Sequence, residues 1–263
     1  MPQDHHLQAQ RFELKYLISE TQAERLRDFV AAHLELDDFS AAQPERAYSV
    51  HSIYLDSDGL ATHHATMNGD KNRFKLRLRC YTLDEAAPVF LEIKRRVDNC
   101  IRKQRCPLRR AAVPFLLAGQ TPPAQLLPSH LPRHLAALED FLELAGRLAA
   151  TPRLRNHYQR EAWVSPGDNH LRVTFDRRVF VQPWFTGEFV PLDRPHQIYG
   201  DVVVFEVKFT DRFPNWCRRM VEEFNLMRSA AMKYCGGVAA LGPEHFRAPG
   251  PAVPGPTREA SCA

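Results

Sequence analysis

No run of apolar residues approaches the roughly 18 needed to cross a membrane as a helix. The opening Met-Pro-Gln-Asp-His-His lacks the basic and apolar regions of a secretory signal, so no cleaved leader is expected. Six cysteines (Cys80, Cys100, Cys106, Cys217, Cys235 and Cys262) form neither a Cys-x-x-Cys pair nor the Cys/His spacing of a zinc site. They read as reduced thiols of a cytosolic protein. There is no internal repeat, no Walker A Gly-x-x-x-x-Gly-Lys, no protein-kinase motif set and no His-Glu-x-x-His. The commonest routes to phosphate and metal chemistry are therefore missing. His5-His6 and His63-His64 find no partner at metal-ligand spacing and are expected at the surface.

The chain has 263 residues, 44% of them hydrophobic, enough to bury one large core or two small ones. Net charge is only +4, but residues 71–110 hold 13 Lys/Arg against 4 Asp/Glu. That segment is at +9 and the remainder at −5, which marks a local site rather than a generally basic protein.

Within it, Phe74 to Tyr81 reads Phe-Lys-Leu-Arg-Leu-Arg-Cys-Tyr. Successive side chains of a strand point to opposite faces. Lys75, Arg77 and Arg79 therefore share one face, and Phe74, Leu76, Leu78 and Cys80 the other. Three cations within roughly 14 Å repel one another unless the face is wet or a polyanion lies along it.

Residues 9–18 read as a first strand. Ser19 with Gln22 opens a helix carrying Leu26, Phe29, Val30, His33 and Leu34 at helical spacing. Strands are predicted at 47–56 (ending at Ser57-Asp58-Gly59), 73–81, 89–95 and about 100–109. After Pro-rich ground at 121–133 and a helix near 134–149, strands resume at 154–165, 170–182 and 201–210. Helices at 213–226 (with Pro214 near its start) and 228–240 finish the domain. Trp216, Met220 and Phe224 are expected in helix core. Residues 1–8 are expected to be flexible, 9–242 to form the domain, and the Pro/Ala-rich 243–263 to be disordered. Many strands with hairpin-length connections argue for an antiparallel sheet or closed barrel with helical additions.

The charged alternation recurs. Arg11, Glu13 and Lys15 share a face, as do Glu92 and Lys94, Lys103 and Arg105, Arg172, Thr174 and Asp176, and Glu206 and Lys208. For one strand, a solvated face accounts for this. Across so many strands, Arg and Lys dominate and acids recur singly. A dry, empty interior lined this way would be prohibitively repulsive. Phosphate chains supply the negative charge, Arg forks bind them bidentately, and single carboxylates suit an oxygen-preferring divalent cation. Asp176 could pair with Arg172 or reach a metal, and Arg95 and Arg96 are expected at the surface.

Eight short motifs occur in order: Arg-Phe-Glu-Leu-Lys-Tyr at 11–16, Ser-Ile-Tyr-Leu-Asp at 52–56, Lys-Leu-Arg-Leu-Arg-Cys-Tyr at 75–81, Leu-Glu-Ile-Lys at 91–94, His-Tyr-Gln-Arg at 157–160, Arg-Val-Thr-Phe-Asp at 172–176, Phe-Glu-Val-Lys at 205–208 and Met-Lys-Tyr at 232–234. Together they resemble the VTC domain, the polyphosphate polymerase branch of the triphosphate tunnel metalloenzymes, over about residues 9–240. The resemblance implies an α+β fold, a closed antiparallel β-barrel of about eight strands with peripheral helices. It implies that Lys15, Arg77, Arg79, Lys94, Lys103, Arg160, Arg172 and Lys233 line a tunnel. Tyr158 would hydrogen-bond a phosphate, Glu206 would hold the metal, and Lys208 and Arg105 would add contacts. The wider superfamily opens with Glu-x-Glu-x-Lys, whereas this chain has Arg11-x-Glu13-x-Lys15. Loss of the first acid fits the polymerase branch better than a two-metal hydrolase, with Glu13 a second candidate metal ligand.

The implied chemistry is Mn²⁺- or Mg²⁺-dependent transfer of the ATP γ-phosphate to a growing polyphosphate chain. Arg77, Arg79, Lys94 and Arg172 would neutralise the phosphates. Positioning and charge neutralisation dominate such transfers, and no general base is demanded. Two alternatives share the cradle: a tripolyphosphate or nucleoside triphosphatase, and a non-catalytic polyphosphate-binding module. A single-stranded nucleic-acid binder is disfavoured because the basic strands lack interleaved aromatics. The expected partners are ATP and polyphosphate, not sequence-specific nucleic acid. The resemblance also implies a membrane-protein partner for product, placing the protein in the cytoplasm or beside the inner face of a membrane.

Overall fold

A computed structural model describes residues 11–98, 100–167, 170–210 and 212–247, apart from the Arg11 side chain. His5-His6, Cys262 and the expected flexible N-terminus lie outside the described residues. In chain order the elements are β1 (Arg11–Ile18), α1 (Glu20–Ala31), β2 (Glu35–Leu36), α2 (Asp38–Ala41), β3 (Tyr48–Asp56), α3 (Ala61–Met67), β4 (Asn72–Cys80), β5 (Val89–Val97), β6 (Cys100–Leu108), α4 (Val113–Leu117), α5 (Pro132–Leu148), β7 (Thr151–Val164), β8 (Leu171–Pro183), β9 (His196–Gln197), β10 (Val203–Thr210), α6 (Asn215–Glu223) and α7 (Lys233–Leu241). Short 3-10 turns occupy Arg110–Ala112, Ala124–Leu126 and Pro243–Phe246.

All ten strands join one antiparallel sheet in the order β1-β10-β8-β7-β3-β4-β5-β6, with β2 on β7 and β9 on β8. The expected closed barrel of about eight strands is corrected here: among the described residues the ladder ends at β1 and β6. The free edge of β1 is already used. Ser229 N–H donates to the Lys15 carbonyl at 2.8 Å, and Tyr16 bridges Arg228. The sheet nonetheless curls until Lys94 Nζ on β5 donates to Glu13 Oε2 on β1 at 2.7 Å.

The curl is apolar outside and polar inside. On one half, Leu76, Leu78, Cys80, Leu91 and Ile93 are buried with Ala137, Leu138 and Phe141 of α5. On the other, Val173, Phe175, Phe205 and Val207 are buried with Leu26 and Val30 of α1 and Met220 of α6. Trp216 and Phe224 pack against the same cluster, as expected. Helices cover the outer faces, so the alternate residues must face inward.

A bulge limits how far the charged lining extends. His157 opposes Phe180 but Gln159 opposes Arg177, so β8 carries one extra residue there, and Arg178 adopts a φ of 51°. This switches the inward parity of β8 from even to odd numbers. Arg172, Thr174 and Asp176 face inward before it, while Val179 and Val181 are buried after it. At that apolar end, α7 and Phe246 pack with Tyr54, Leu60, Leu154 and Val181. Gly237 permits the approach, since a Cβ there would lie 2.7 Å from Leu154 and 3.1 Å from Val181.

Three further expectations change. The last helix begins at Lys233 rather than 228, because 228–231 runs extended along β1. Order continues past 242 to a fully buried Phe246. His63 is not at the surface: Asp56 accepts from the N–H groups of Thr62 and His63, starting α3, and seats the ring against Tyr234.

Candidate functional site

Residues directly opposite on adjacent antiparallel strands share a face. The register therefore assembles the site row by row. Lys75, Lys94 and Lys103 stand opposite one another on β4, β5 and β6, and Arg77, Glu92 and Arg105 form the next row. On the far wall, Lys15 opposes Glu206 and Glu206 opposes Thr174, while Glu13 opposes Lys208 and Lys208 opposes Arg172. Arg160 opposes Asp176 on one side and Tyr48 on the other. Lys233 enters from the first turn of α7.

All thirteen residues singled out in the sequence line one cavity of about 780 Å³: Glu13, Lys15, Arg77, Arg79, Lys94, Lys103, Arg105, Tyr158, Arg160, Arg172, Glu206, Lys208 and Lys233. Ten are cations. Lys75 is not among the lining residues, because its ammonium lies against α7, 3.4 Å from Cys235 Sγ.

Five carboxylates hold these cations. Glu92, fully buried, accepts from Arg77 Nε at 2.6 Å and lies 2.7 Å from Lys103 Nζ, with Arg105 and Arg79 at 3.5 and 3.8 Å. Burial alone would raise its pKa, but Arg77 and Arg79 hold it well below the usual carboxylate range. Asp176 does not pair with Arg172. The two point the same way along one strand, four residues apart, roughly 13 Å at strand rise. Asp176 instead takes a two-point contact from Arg160 at 2.6 and 2.7 Å, and Lys233 Nζ lies 2.6 Å away. Arg172 pairs with Asp37, which also caps α2 by accepting from Ser40 N–H at 2.8 Å.

Glu206 and Glu13 meet at Lys15, whose ammonium is 3.3 Å from Glu206 Oε1 and 3.2 Å from Glu13 Oε1. Glu206 also accepts from Lys233 at 3.2 Å and Lys208 at 2.5 Å. Against the upward pull of burial, these lysines hold the Glu206 carboxyl well below its ordinary value. Lys15 and Lys94 do the same for Glu13. Lys208 moves the other way: burial outweighs Glu206 and takes it down to about 8. Among the described residues no group of three His, Cys, Asp or Glu side chains could cage a metal. The donor set at Glu13 and Glu206 is all oxygen. It fits a hard divalent cation completed by phosphate oxygens, since Mg²⁺ is commonly held by one or two carboxylates plus substrate.

Tyr158 is almost fully buried, its hydroxyl 3.4 Å from Arg79 Nη2, with Lys233 Nζ 4.7 Å above the ring. Tyr54, on the neighbouring strand, accepts from Arg77 Nη1 at 3.3 Å. Burial would raise its phenol, but Arg77 and Arg79 prevail and lower it from the ordinary 10.0 to about 8.

Several residues of the site carried no role in the sequence reading. Glu92 was visible there only as a lone acid in a basic strand. Asp37 could have been found as a helix cap, yet nothing in the sequence ties it to Arg172, 135 positions away. Phe39, Tyr48, Tyr81 and Phe90 also line the cavity and come from four separate segments.

The family profile of the VTC domain matches residues 10–242. The chain belongs to the VTC domain family. No curated protein matches this VTC domain. Among solved structures it is similar to the X-ray structure of a proposed adenylate cyclase from Vibrio parahaemolyticus, at 11% identity and a TM-score of 0.42, covering 85% of this chain and 95% of that one. No helix of the described residues is long and apolar enough to cross a membrane.

Proposed function

We propose that this VTC domain transfers the γ-phosphate of ATP to the end of a polyphosphate chain. The observation that carries the reading is the imbalance of the cavity, where ten cations converge on five carboxylates. A surplus of that kind in a confined site favours a guest of high negative charge density. Arg77, Arg79, Lys94 and Arg172 neutralise the phosphates, with Lys15, Lys103, Arg105, Arg160, Lys208 and Lys233 extending the cradle and Tyr158 donating a hydroxyl.

Glu206 and Glu13 would hold Mn²⁺ or Mg²⁺, which when bound screens the phosphate oxygens. In the transfer, an anionic terminal oxygen of the acceptor chain attacks the γ-phosphorus. The bond from that phosphorus to the β–γ bridging oxygen breaks, and ADP leaves with the electron pair. The acceptor is already deprotonated, so the reaction needs alignment and charge neutralisation rather than a base. The cytoplasm supplies ATP, and a membrane protein receiving the polymer is the partner this reading implies.

Incubation of the purified protein with ATP and Mn²⁺ should yield ADP and phosphate polymer in equal phosphoryl amounts. Arg77→Ala and Glu206→Ala should each abolish polymer while remaining folded by circular dichroism. Stoichiometric orthophosphate without polymer would make the protein a triphosphatase. Tight polyphosphate binding without turnover under any divalent metal would make it a binding module.

A further inference from the structure

We propose that the aromatic side chains at one rim of the cavity form a nucleobase platform, with Phe39 as its exposed stacking face. The inference deepens the ATP reading above and rests on it. Phe39 is 63% exposed, an unusual place for a large apolar ring beside a cation-lined cavity. It sits on α2, where the Asp37 cap fixes the turn. Its ring lies 6.0 Å from that of Tyr81 with only 18° between the planes, and 5.8 Å from that of Tyr48. Tyr81 in turn packs edge-on against Tyr48 at 5.9 Å and Phe90 at 6.0 Å.

The platform is wired to the phosphate cradle. Arg105 lies 3.5 Å from the Phe90 ring centroid and donates to the Tyr81 hydroxyl at 3.1 Å. Arg172 Nη2 lies 3.3 Å from the Tyr48 hydroxyl. A nucleoside triphosphate has this build: a charged tail, then a flat base beyond the sugar. Inorganic tripolyphosphate offers nothing for the rings. Stacking works on either face of a base and needs no hydrogen-bond code, so the platform would accept purines broadly and favour them over pyrimidines by ring area. It also sets direction, placing the leaving nucleotide at this rim and the γ-phosphate deeper, among Arg77, Glu206 and Lys233.

Calorimetric titration of the full chain with ATP and with inorganic tripolyphosphate tests this. Stacking of one base on one ring predicts that Phe39→Ala weakens ATP by about tenfold while tripolyphosphate stays within about twofold. Phe39→Trp should retain ATP affinity, with the new indole quenched by ATP and not by tripolyphosphate. Equal affinities of Phe39→Ala and wild type for ATP would overturn the platform, as would equal losses for both ligands. Wild type binding tripolyphosphate but not ATP would overturn it and leave the anion cradle standing. Binding of neither ligand by wild type would remove the cradle itself.

Discussion

Glu92 compensates four cations, as many as Glu206 does: Arg77, Arg79, Lys103 and Arg105 all converge on one fully buried carboxylate. Replacing it by Gln leaves those charges uncompensated, and breaking a buried ionic cluster costs about 3–5 kcal/mol. Glu92→Gln should therefore lower the urea midpoint sharply. The same loss raises the charge available to a guest, so tripolyphosphate should stabilise the variant more than the wild type. Tyr54 supplies a pH signature. Its phenol faces Arg77, Arg79 and Lys75 of β4, Tyr234 of α7 and Tyr199, and the cations lower it to about 8. As pH rises through that value, a phenolate competes with phosphate for Arg77. A bound polyanion favours the protonated phenol, so binding near pH 8 takes up protons and weakens with rising pH. Calorimetry in two buffers of different ionisation enthalpy should show less uptake for Tyr54→Phe.

Among the elements, α7 decides whether Lys233 reaches Glu206 and Asp176. Gly237→Val would push the helix off Leu154 and Val181. Overpacking of that kind costs about 1–3 kcal/mol, and tripolyphosphate affinity should fall with it, both readable in one ligand-dependent melting series. The strands themselves were legible, because a two-residue period survives in any antiparallel sheet that buries one face. Ten of the thirteen cavity residues follow from that period, while Tyr158, Arg160 and Lys233, the last on a helix, came only with the family resemblance. The period cannot announce where it breaks: the extra residue at Arg178 that ends the charged row of β8 leaves no mark in the sequence. Nor does α3, whose start depends on the Asp56 carboxylate meeting the N–H groups of Thr62 and His63, whereas the Asp37 cap of α2 was there to be found. Pairings such as Arg172 with Asp37 are long-range and appear only once the sheet curls. The helix expected from 228 failed for a related reason, since the edge of β1 recruits that stretch as extended chain.

For the molecule as a whole, an occupied cradle should be far more stable than an empty one. Tripolyphosphate at about 100 times its Kd adds about 2.7 kcal/mol, which for a chain of this length raises Tm by about 5–10 °C. Added salt should erode the gain by screening the ligand and the cavity rim. The gap in the ladder between β1 and β6 has its own consequence. Lys103 and Lys94, the most exposed cations of the cavity, stand on β6 at that gap and on β5 next to it, with side chains 45% and 37% accessible. A seam spanned there by the Lys94–Glu13 ion pair, with no β1–β6 ladder, can part to admit a chain from the side, so a long guest need not be fed in end-first. Polyphosphate carrying bulky blocks at both termini should then bind as well as the free-ended chain, whereas a sealed sleeve would reject it.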